Sequence, residues 1–306
     1  MTTTILPSVK TQISLAQFTS LKVGGNAQFL AQPRSICDLD QILAWAKTEN
    51  LPITHMGAGS NLLISDRGVA GLVICTRYLR GLEFDTTQGT VTAMAGEPVV
   101  KLANQLADRG WSGLEWAIGI PGTIGGMVYM NAGAQGGCCA DRLVTATVLT
   151  PQGQILELTP QDLAFSYRHS VLQTENYAHH LVVSAQLQLL PDQDPALVRA
   201  TTTANYQHRH RTQPYHLPNC GSVFRNPPET AAAQLIDRAG LKGFTIGQAQ
   251  VSTLHANFIV NLGGAVATDI YRVLCHVQTV IADKYGIWLQ PEVKMLGDWE
   301  LPPKSP

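Results

Sequence analysis

Two glycine-rich segments contain the backbone and side-chain groups that could bind a phosphate. The first reads Gly57-Ala58-Gly59-Ser60-Asn61-Leu62-Leu63 and follows a predicted strand, and the second reads Gly119-Ile120-Pro121-Gly122-Thr123-Ile124-Gly125-Gly126. Successive backbone N–H groups in such turns form concave anion sites, to which Ser, Thr and Asn side chains add donors. One such loop alone is more often a tight structural turn. Two of them in one chain favour a site for a diphosphate.

The glycines are concentrated around these loops. Of the 27 glycines, 13 lie in Gly57–Gly71 and Gly110–Gly137. Glycine is used where the backbone needs a positive φ or must approach a ligand closely. The first loop lacks the G-x-G-x-x-G pattern of a Rossmann site, and no Gly-Lys-Ser/Thr of a P-loop occurs. The two segments therefore indicate ligand-facing loops of another kind.

The composition excludes two broad classes of protein. The chain has 306 residues, of which 45% are hydrophobic and only 14% charged, and its formal net charge is −1. A nucleic-acid binder usually shows a basic excess, and a disordered chain combines low hydrophobicity with high net charge. A globular α/β (α+β) protein without a nucleic-acid partner is the remaining interpretation.

Hydrophobic periodicity predicts the elements that would position the loops. The first part has a βαβ-like pattern, with strand 28–33, helix 39–49 capped by Asp38 or Asp40, and strand 53–56. The later elements are strands 72–75, 90–95, 143–150, 154–159, 181–190, 256–260 and 288–295, and helices 98–109, 196–205, 229–239 and 268–285. With a linker at Pro191–Pro195, this order predicts three parts, 1–65, 66–193 and 194–306.

The cysteines and the hydropathy indicate a cytoplasmic protein. The six cysteines show no CxxC spacing, so we expect reduced thiols. The sequence has no signal-peptide pattern and no apolar run of transmembrane length, so no membrane insertion is expected. The His179-His180 and His208/His210 pairs have no Cys or carboxylate partner, and we expect no metal.

The loops, followed by Asn131-Ala132-Gly133-Ala134, resemble the FAD-binding domain of the vanillyl-alcohol-oxidase/PCMH type. Within that group the chain is similar to the UDP-N-acetylenolpyruvoylglucosamine reductase (MurB) family, from about Phe18 to Gly297. The resemblance implies a two-part FAD-binding region with non-covalent FAD and a C-terminal α+β substrate domain. It also implies NADPH as co-substrate. The implied FAD-binding residues are Gly57, Ala58, Gly59, Ser60, Asn61, Leu62, Gly119, Ile120, Pro121, Gly122, Thr123, Gly125, Gly126 and Gly133.

The same resemblance implies three catalytic residues, Arg168, Ser222 and Glu292, in the motifs SYRHS, GSVFRNP and LQPEV. In the family reaction, hydride from N5 of reduced FAD adds to the terminal carbon of an enolpyruvyl ether. Negative charge then develops on the adjacent carbon and its carboxylate, which a guanidinium and a carboxyl group could stabilise. Ser222 would donate the proton to that carbon. The division of roles between Arg168 and Glu292 is left open.

Substrate contacts are also implied by the resemblance. Tyr167 and Asn226 adjoin the catalytic motifs, and His255 and Asn257 lie on a segment that lines the site in the family. The UDP diphosphate needs cationic groups, and the basic run His208-Arg209-His210-Arg211 could supply them. The family more often has Lys or Arg at the position of Thr212, so Arg209 or Arg211 is assigned to the diphosphate instead. No insertion follows Gln213, so we expect the shorter type without the tyrosine-bearing loop. We also expect a monomer.

Two other functions are compatible with parts of the pattern. An oxidase or dehydrogenase of the same flavin fold would leave the Ser222 and Glu292 motifs without a role. Covalent flavin attachment is common in such oxidases, and a covalently bound flavin would stay with the protein on acid precipitation. A non-catalytic nucleotide-sugar binding protein without flavin would not absorb visible light, so an absorption spectrum would distinguish it.

Overall fold

The structure, a computed structural model, describes Leu6 and residues 8–299 of the chain. Its helices are α1 (Ile36–Thr48), α2 (Val99–Asp108), α3 (Ile124–Tyr129), α4 (Pro195–Thr212), α5 (Ala232–Arg238) and α6 (Ala267–Tyr285). Its strands are β1 (Val9–Ser14), β2 (Asn26–Ala31), β3 (Ile53–Met56), β4 (Leu62–Ile64), β5 (Val69–Cys75), β6 (Leu82–Asp85), β7 (Thr90–Met94), β8 (Gly133–Ala134), β9 (Gly137–Cys138), β10 (Leu143–Leu149), β11 (Ile155–Leu158), β12 (Leu181–Gln188), β13 (Thr245–Ile246), β14 (Ala249–Val251), β15 (Ile259–Asn261) and β16 (Lys294–Leu296).

The chain divides into two compact units. The first unit comprises the described residues up to Lys10, then Leu30–Ala58 and Leu72–Arg211. The second comprises Thr11–Phe29, Gly59–Gly71 and the described residues from Thr212 onward. These bounds follow packing within each unit, and the three parts expected from the sequence stay a prediction.

The first unit is built around a five-stranded antiparallel sheet. Its strand order is β11-β10-β12-β7-β6, and β10 and β11, which correspond to the predicted strands 143–150 and 154–159, pair as a hairpin. Strand β12 is buried from Leu181 to Ala185 on both faces, because α2 and α3 belong to the same hydrophobic core as the sheet. In a separate sheet of this unit, strand β3 pairs in parallel with the Leu72–Cys75 part of β5.

The second unit packs the long helix α6 against a small antiparallel sheet of order β13-β14-β15. Its core includes Phe224, Ile236 and Val273, all nearly inaccessible to solvent. A second pairing, parallel, joins β16 to β4 with Lys294 opposite Leu62. That pairing brings the end of the first glycine loop beside the segment that contains Glu292.

The α/β (α+β) class predicted from the sequence is confirmed, but several element ends differ. Helix α1 starts after Ser35, whose hydroxyl accepts a hydrogen bond from the Asp38 N–H, so the expected Asp38 or Asp40 cap was wrong. Helix α4 continues to Thr212 and therefore contains Arg209 and Arg211, which lie beyond the predicted end of helix 196–205.

The N-terminus of α6 is capped by a residue far away in the sequence. The Asp66 carboxylate accepts hydrogen bonds from the N–H groups of Ala267 and Thr268, both at 2.8 Å, and from the Thr268 hydroxyl. A carboxylate at this position also interacts favourably with the helix dipole. Local sequence gives no sign of this partner, which lies 201 and 202 residues upstream of the residues that it caps.

Three histidines of the first unit interact at strand β3. His179 Nδ1 lies 3.1 Å from the Ile53 carbonyl oxygen. Burial, with a smaller effect of nearby His179 and His180, lowers the pKa of His55 from 6.5 to about 4.

This shift predicts a loss of stability in mild acid. Below pH 6.5 the unfolded chain takes up a proton at His55 that the folded chain does not accept until about pH 4. The free energy of unfolding should therefore fall as the pH decreases through this window. Urea unfolding at several pH values measures it, and His55→Gln should flatten the dependence. If the free energy of unfolding of His55→Gln depends on pH as steeply as that of the wild type, His55 is not the cause of the pH dependence.

No helix within the described ranges is both long and apolar enough to cross a membrane.

Candidate active site

The first glycine loop starts where β3 ends, and its first two residues belong to the first unit. The Gly57 carbonyl accepts a hydrogen bond from Cys75 Sγ at 3.5 Å, and the Ala58 carbonyl accepts one from Arg77 Nη2 at 3.0 Å. These two oxygens therefore face protein donors. Carbonyl oxygens would repel an anion, so this orientation is compatible with a phosphate site.

The rest of this loop belongs to the second unit. Gly59 has a φ of +69°, and a Cβ there would overlap the Phe18 carbonyl, so the position requires glycine. The carbonyls of Gly59 and Ser60 accept hydrogen bonds from the backbone and the hydroxyl of Ser20. Asn61 is the last residue before β4, which begins at Leu62.

The second loop pairs with the segment between β7 and α2. The Gly122 carbonyl accepts a hydrogen bond from the Val99 N–H at 3.1 Å, and the Gly125 N–H donates to Ala95 at 2.9 Å. A Cβ on Gly125 would lie 3.0 Å from the Ala95 Cβ, which accounts for glycine there by packing. Gly125 and Gly126 lie in α3, a helix that the sequence did not predict. Gly119 ends a 3-10 turn, and Ile120 and Pro121 follow it.

The two loops meet at Gly57 and Thr123, within the first unit. A Cβ on Gly57 would lie 2.5 Å from Thr123 Oγ1, so glycine keeps this space open. Thr123 is 3% exposed, and its Oγ1 has no hydrogen-bond partner among the described residues. A buried hydroxyl without a partner is costly, and an oxygen of a bound ligand would satisfy it. The residues present therefore fit a diphosphate-bearing cofactor such as FAD.

We predict that Thr123→Val binds FAD about tenfold more weakly, because it removes one buried hydrogen bond. Thr123→Ser keeps the hydroxyl and is the matched control. Titration of the apoprotein with FAD, followed by flavin fluorescence, measures both affinities. Equal affinities of the Val and Ser variants would exclude a contact of the hydroxyl with FAD.

Arg168 lies in a strained two-residue turn of the first unit. Ser166 and His169 exchange two backbone hydrogen bonds of 3.1 Å across the turn, and Arg168 has a φ of +55°. Left-handed backbone is uncommon outside glycine and often marks a functional site. The Asn131 carboxamide donates to the Ser166 carbonyl at 3.0 Å and thereby fixes one end of the turn.

The Arg168 side chain is directed by its neighbours. Its Nη2 donates to the Gly133 carbonyl at 2.7 Å, and its guanidinium carbon lies 5.2 Å from the Tyr167 ring centroid. The structure thus brings together Gly133, expected at the cofactor, with Arg168 and Tyr167. The Tyr167 ring is 54% exposed. Asn131 belongs to the Asn131-Ala132-Gly133-Ala134 motif, but nothing in the sequence indicates that it anchors this turn.

Ser222 and Glu292 lie on neighbouring backbone segments of the second unit. The Val223 carbonyl, next to Ser222, accepts a 2.7 Å hydrogen bond from the Glu292 N–H. Phe224 and Pro291 form an isolated bridge beyond it. The two motifs, 70 residues apart in the chain, therefore meet as a short antiparallel pair.

Asn257 fixes the other side of the Ser222 segment. Its Oδ1 accepts from the Phe224 N–H at 3.0 Å, its Nδ2 donates to the Phe224 carbonyl at 2.8 Å, and its own carbonyl accepts from the Val223 N–H. Asn257 is 4% exposed. His255 Nδ1 in turn accepts from the Asn257 N–H, and burial lowers the pKa of His255. Expected as substrate contacts, both residues support the backbone around Ser222.

Glu292 interacts electrostatically with Lys294 and Cys220. Burial lowers the pKa of Lys294, with a further contribution from Arg225, and the negative charge of Glu292 opposes the shift. Burial, and to a smaller extent Glu292, raises the pKa of the Cys220 thiol to about 12, so this thiol stays protonated near neutral pH. Lys294 therefore lies within electrostatic range of both Glu292 and Arg225.

The remaining residues implied by the resemblance lie on helix ends. Asn226 Oδ1 accepts a hydrogen bond from the Ala232 N–H at the start of α5. Arg209 and Arg211 lie in the last turn of α4, where Arg211 is exposed and Arg209 partly buried. Among the residues that the structure describes, no group of three or more His, Cys, Asp and Glu side chains could hold a metal ion.

Comparison with known proteins gives the family. A protein-family model described as an FAD binding domain matches residues 27–159. A second family model, described as the C-terminal domain of UDP-N-acetylenolpyruvoylglucosamine reductase, matches residues 213–296. The reductase of that name from Synechococcus elongatus is 53% identical over 296 residues, which is 97% of each chain. The chain belongs to the UDP-N-acetylenolpyruvoylglucosamine reductase family.

Further relatives agree with this family. The Synechocystis reductase is 52% identical over 291 residues, covering 95% of this chain and 92% of that one. The crystal structure of the reductase from Thermus caldophilus superposes with a TM-score of 0.80 at 31% identity, covering 94% of this chain and 99% of that one.

Family membership confirms several predictions. The chain is an oxidoreductase of the UDP-N-acetylenolpyruvoylglucosamine reductase family, and it contains an FAD-binding domain. The predicted fold, an FAD-binding region followed by a C-terminal substrate domain, is the fold of the family. The individual site residues, the NADPH requirement and the oligomeric state stay predictions.

Proposed function

We propose that this chain uses NADPH and non-covalent FAD to reduce the enolpyruvyl group of UDP-N-acetylenolpyruvoylglucosamine, forming UDP-N-acetylmuramate for peptidoglycan synthesis. The observation that carries the proposal is the 53% identity to a named reductase over 97% of both chains. We further propose a cytoplasmic monomer of the shorter type.

The reaction needs a two-electron reductant, and FAD, once reduced by NADPH, supplies a hydride to the terminal carbon of the enol ether. The loops around Gly57 and Thr123 would hold the diphosphate of FAD. Backbone N–H groups and hydroxyls perform this task without a net cationic charge, in keeping with the low charge content of the chain.

Arg168 would stabilise the negative charge that develops on the substrate carboxylate. Its turn is held by Asn131 and its guanidinium by Gly133, so the positive charge is fixed before the reaction begins. A charge that needs no reorganisation stabilises a transition state most effectively. The neighbouring Tyr167 is proposed to contact the substrate.

Ser222 would donate the proton to the carbon that bears the carboxylate. A serine hydroxyl is a weak acid, so proton donation needs a polarising partner. Glu292 is the catalytic candidate that shares a unit with Ser222, and its N–H is bonded to the carbonyl of Val223, the residue after Ser222. We propose that the Glu292 carboxyl assists this proton transfer.

We propose Arg209 or Arg211 for the UDP diphosphate, and Asn226, His255 and Asn257 as further residues that serve substrate binding. Asn257 uses both carboxamide atoms on the Phe224 backbone, so it would act on the substrate mainly by supporting Ser222. The UDP diphosphate requires cationic groups, which the end of α4 supplies.

Anaerobic spectroscopy tests the proposal. The purified protein should be yellow, lose its visible absorption on addition of NADPH, and recover it on addition of UDP-N-acetylenolpyruvoylglucosamine. Acid precipitation should release the flavin. A bleached protein that the enolpyruvyl sugar nucleotide does not reoxidise would contradict the proposed reaction.

A further inference from the structure

Asn61 makes contacts that differ from those of an ordinary cofactor loop residue. Its backbone carbonyl accepts a hydrogen bond from the Lys294 N–H at 3.0 Å, continuing the ladder between β4 and β16. Its side-chain Nδ2 donates to the Glu292 carbonyl at 3.1 Å. The carboxamide thus bonds to Glu292, two residues before the start of β16, where the backbone ladder has stopped.

These contacts fix Glu292 through both of its backbone polar groups. The Glu292 N–H bonds to the carbonyl of Val223, the residue after Ser222, and the Glu292 carbonyl bonds to Asn61. Both contacts lie within the second unit. The peptide groups flanking the Cα of Glu292 are therefore each tied to a different segment, which restricts the direction of its side chain.

We propose that Asn61 is a positioning residue for Glu292 and connects the first glycine loop to the proton-transfer step. This inference rests on the proposed function. The sequence implied that Asn61 contributes to FAD binding, whereas the structure points to a role of its carboxamide after FAD has been reduced.

The side chain at position 61 must be a hydrogen-bond donor to bond to the Glu292 carbonyl. Only a side chain with an N–H or O–H of the right length bonds to the Glu292 carbonyl, and removal leaves that partly buried oxygen without this partner. A displacement of a catalytic group by about 1 Å lowers rates by about 100-fold. The effect of losing Asn61 should therefore appear in catalysis more than in stability.

The first test separates the two half-reactions in rapid-mixing experiments. We expect Asn61→Ala to be reduced by NADPH at nearly the wild-type rate and to be reoxidised by the substrate about 10- to 100-fold more slowly. The substrate concentration that gives half the maximal rate should change little. Gln250→Ala removes another carboxamide of the second unit, one that donates to Thr245 at 3.0 Å, and should match the wild type in both steps.

A double-mutant cycle shows whether Asn61 acts through Glu292. In a Glu292→Ala background, the further change Asn61→Ala should leave the reoxidation rate unaltered, because the group that it positions is gone. Independent, multiplicative losses would overturn the proposal. A loss of FAD affinity in Asn61→Ala that accounts for the slower reaction would also overturn it, and would return Asn61 to the cofactor.

Asn61→Asp is a second variant of nearly the same shape. It replaces the donor with an acceptor facing the Glu292 carbonyl, so we expect slower reoxidation than in Asn61→Ala. If the wild type is reoxidised and both variants match its rate, this inference alone fails. If the wild type is not reoxidised, the proposed function fails as well.

Discussion

Ser222→Ala is expected to slow reoxidation of the reduced enzyme by its substrate about 10²- to 10⁴-fold, the usual contribution of a positioned proton donor. Reduction by NADPH should stay near the wild-type rate, because that step needs no proton from Ser222. Stopped-flow absorbance of the flavin, recorded separately for the two half-reactions, measures both rates.

Ser222→Cys is the matched control for this prediction. A thiol keeps a proton donor at the same position and should recover part of the lost rate. The surrounding backbone is held by Asn257 and Glu292 through backbone groups of Val223 and Phe224, so neither substitution should alter the fold. Equal slowing of both half-reactions by Ser222→Ala would remove Ser222 from the proton-donor role.

The second large effect is expected at Arg168. Arg168→Ala removes the fixed positive charge proposed for the substrate carboxylate, and reoxidation should fall about 10²- to 10³-fold, as for loss of one transition-state donor. Both arginine and alanine must adopt the positive φ of this position, so the change adds no backbone strain beyond that already present. Stopped-flow reoxidation as a function of substrate concentration measures the loss.

Arg168→Lys separates charge from geometry. Lysine keeps the charge but lacks the planar guanidinium that bonds to Gly133, so an intermediate rate is expected. A rate for Arg168→Ala near that of the wild type would show that another cation stabilises the developing charge.

Elements with a local signal were predicted well from the sequence. Strand β3 has the predicted ends, Ile53 and Met56, and helix α6 ends at Gly286, which adopts the left-handed conformation expected of a C-terminal glycine. Hydrophobic period and turn residues determine such elements without help from distant contacts.

Long-range contacts account for what the sequence did not reveal. Helix α3 is six residues long and contains Gly125 and Gly126, which disfavour a helix unless packing supports it. Its Gly125 lies against Ala95, a contact that local sequence does not encode.

Some residues of the candidate site were also recognisable from the sequence, and others only from long-range contacts. The glycine loops and the short motifs were recognisable because their residue types occur together. The bonds of Asn61 to Glu292 and of Asn257 to Phe224 were not, since each joins segments distant in sequence through an ordinary carboxamide. From the sequence, Asn61 is therefore expected only as a hydrogen-bond donor of the cofactor loop, and its contact with Glu292 is not.

The most direct test of the central claim is the structure of the product formed in D₂O. Wild-type enzyme, NADPH and UDP-N-acetylenolpyruvoylglucosamine should give UDP-N-acetylmuramate, with deuterium from solvent at the carbon that bears the carboxylate. Mass spectrometry and proton NMR of the product locate that atom. Unchanged enolpyruvyl sugar nucleotide after NADPH has reduced the flavin, or a product without solvent deuterium at this carbon, would contradict the account.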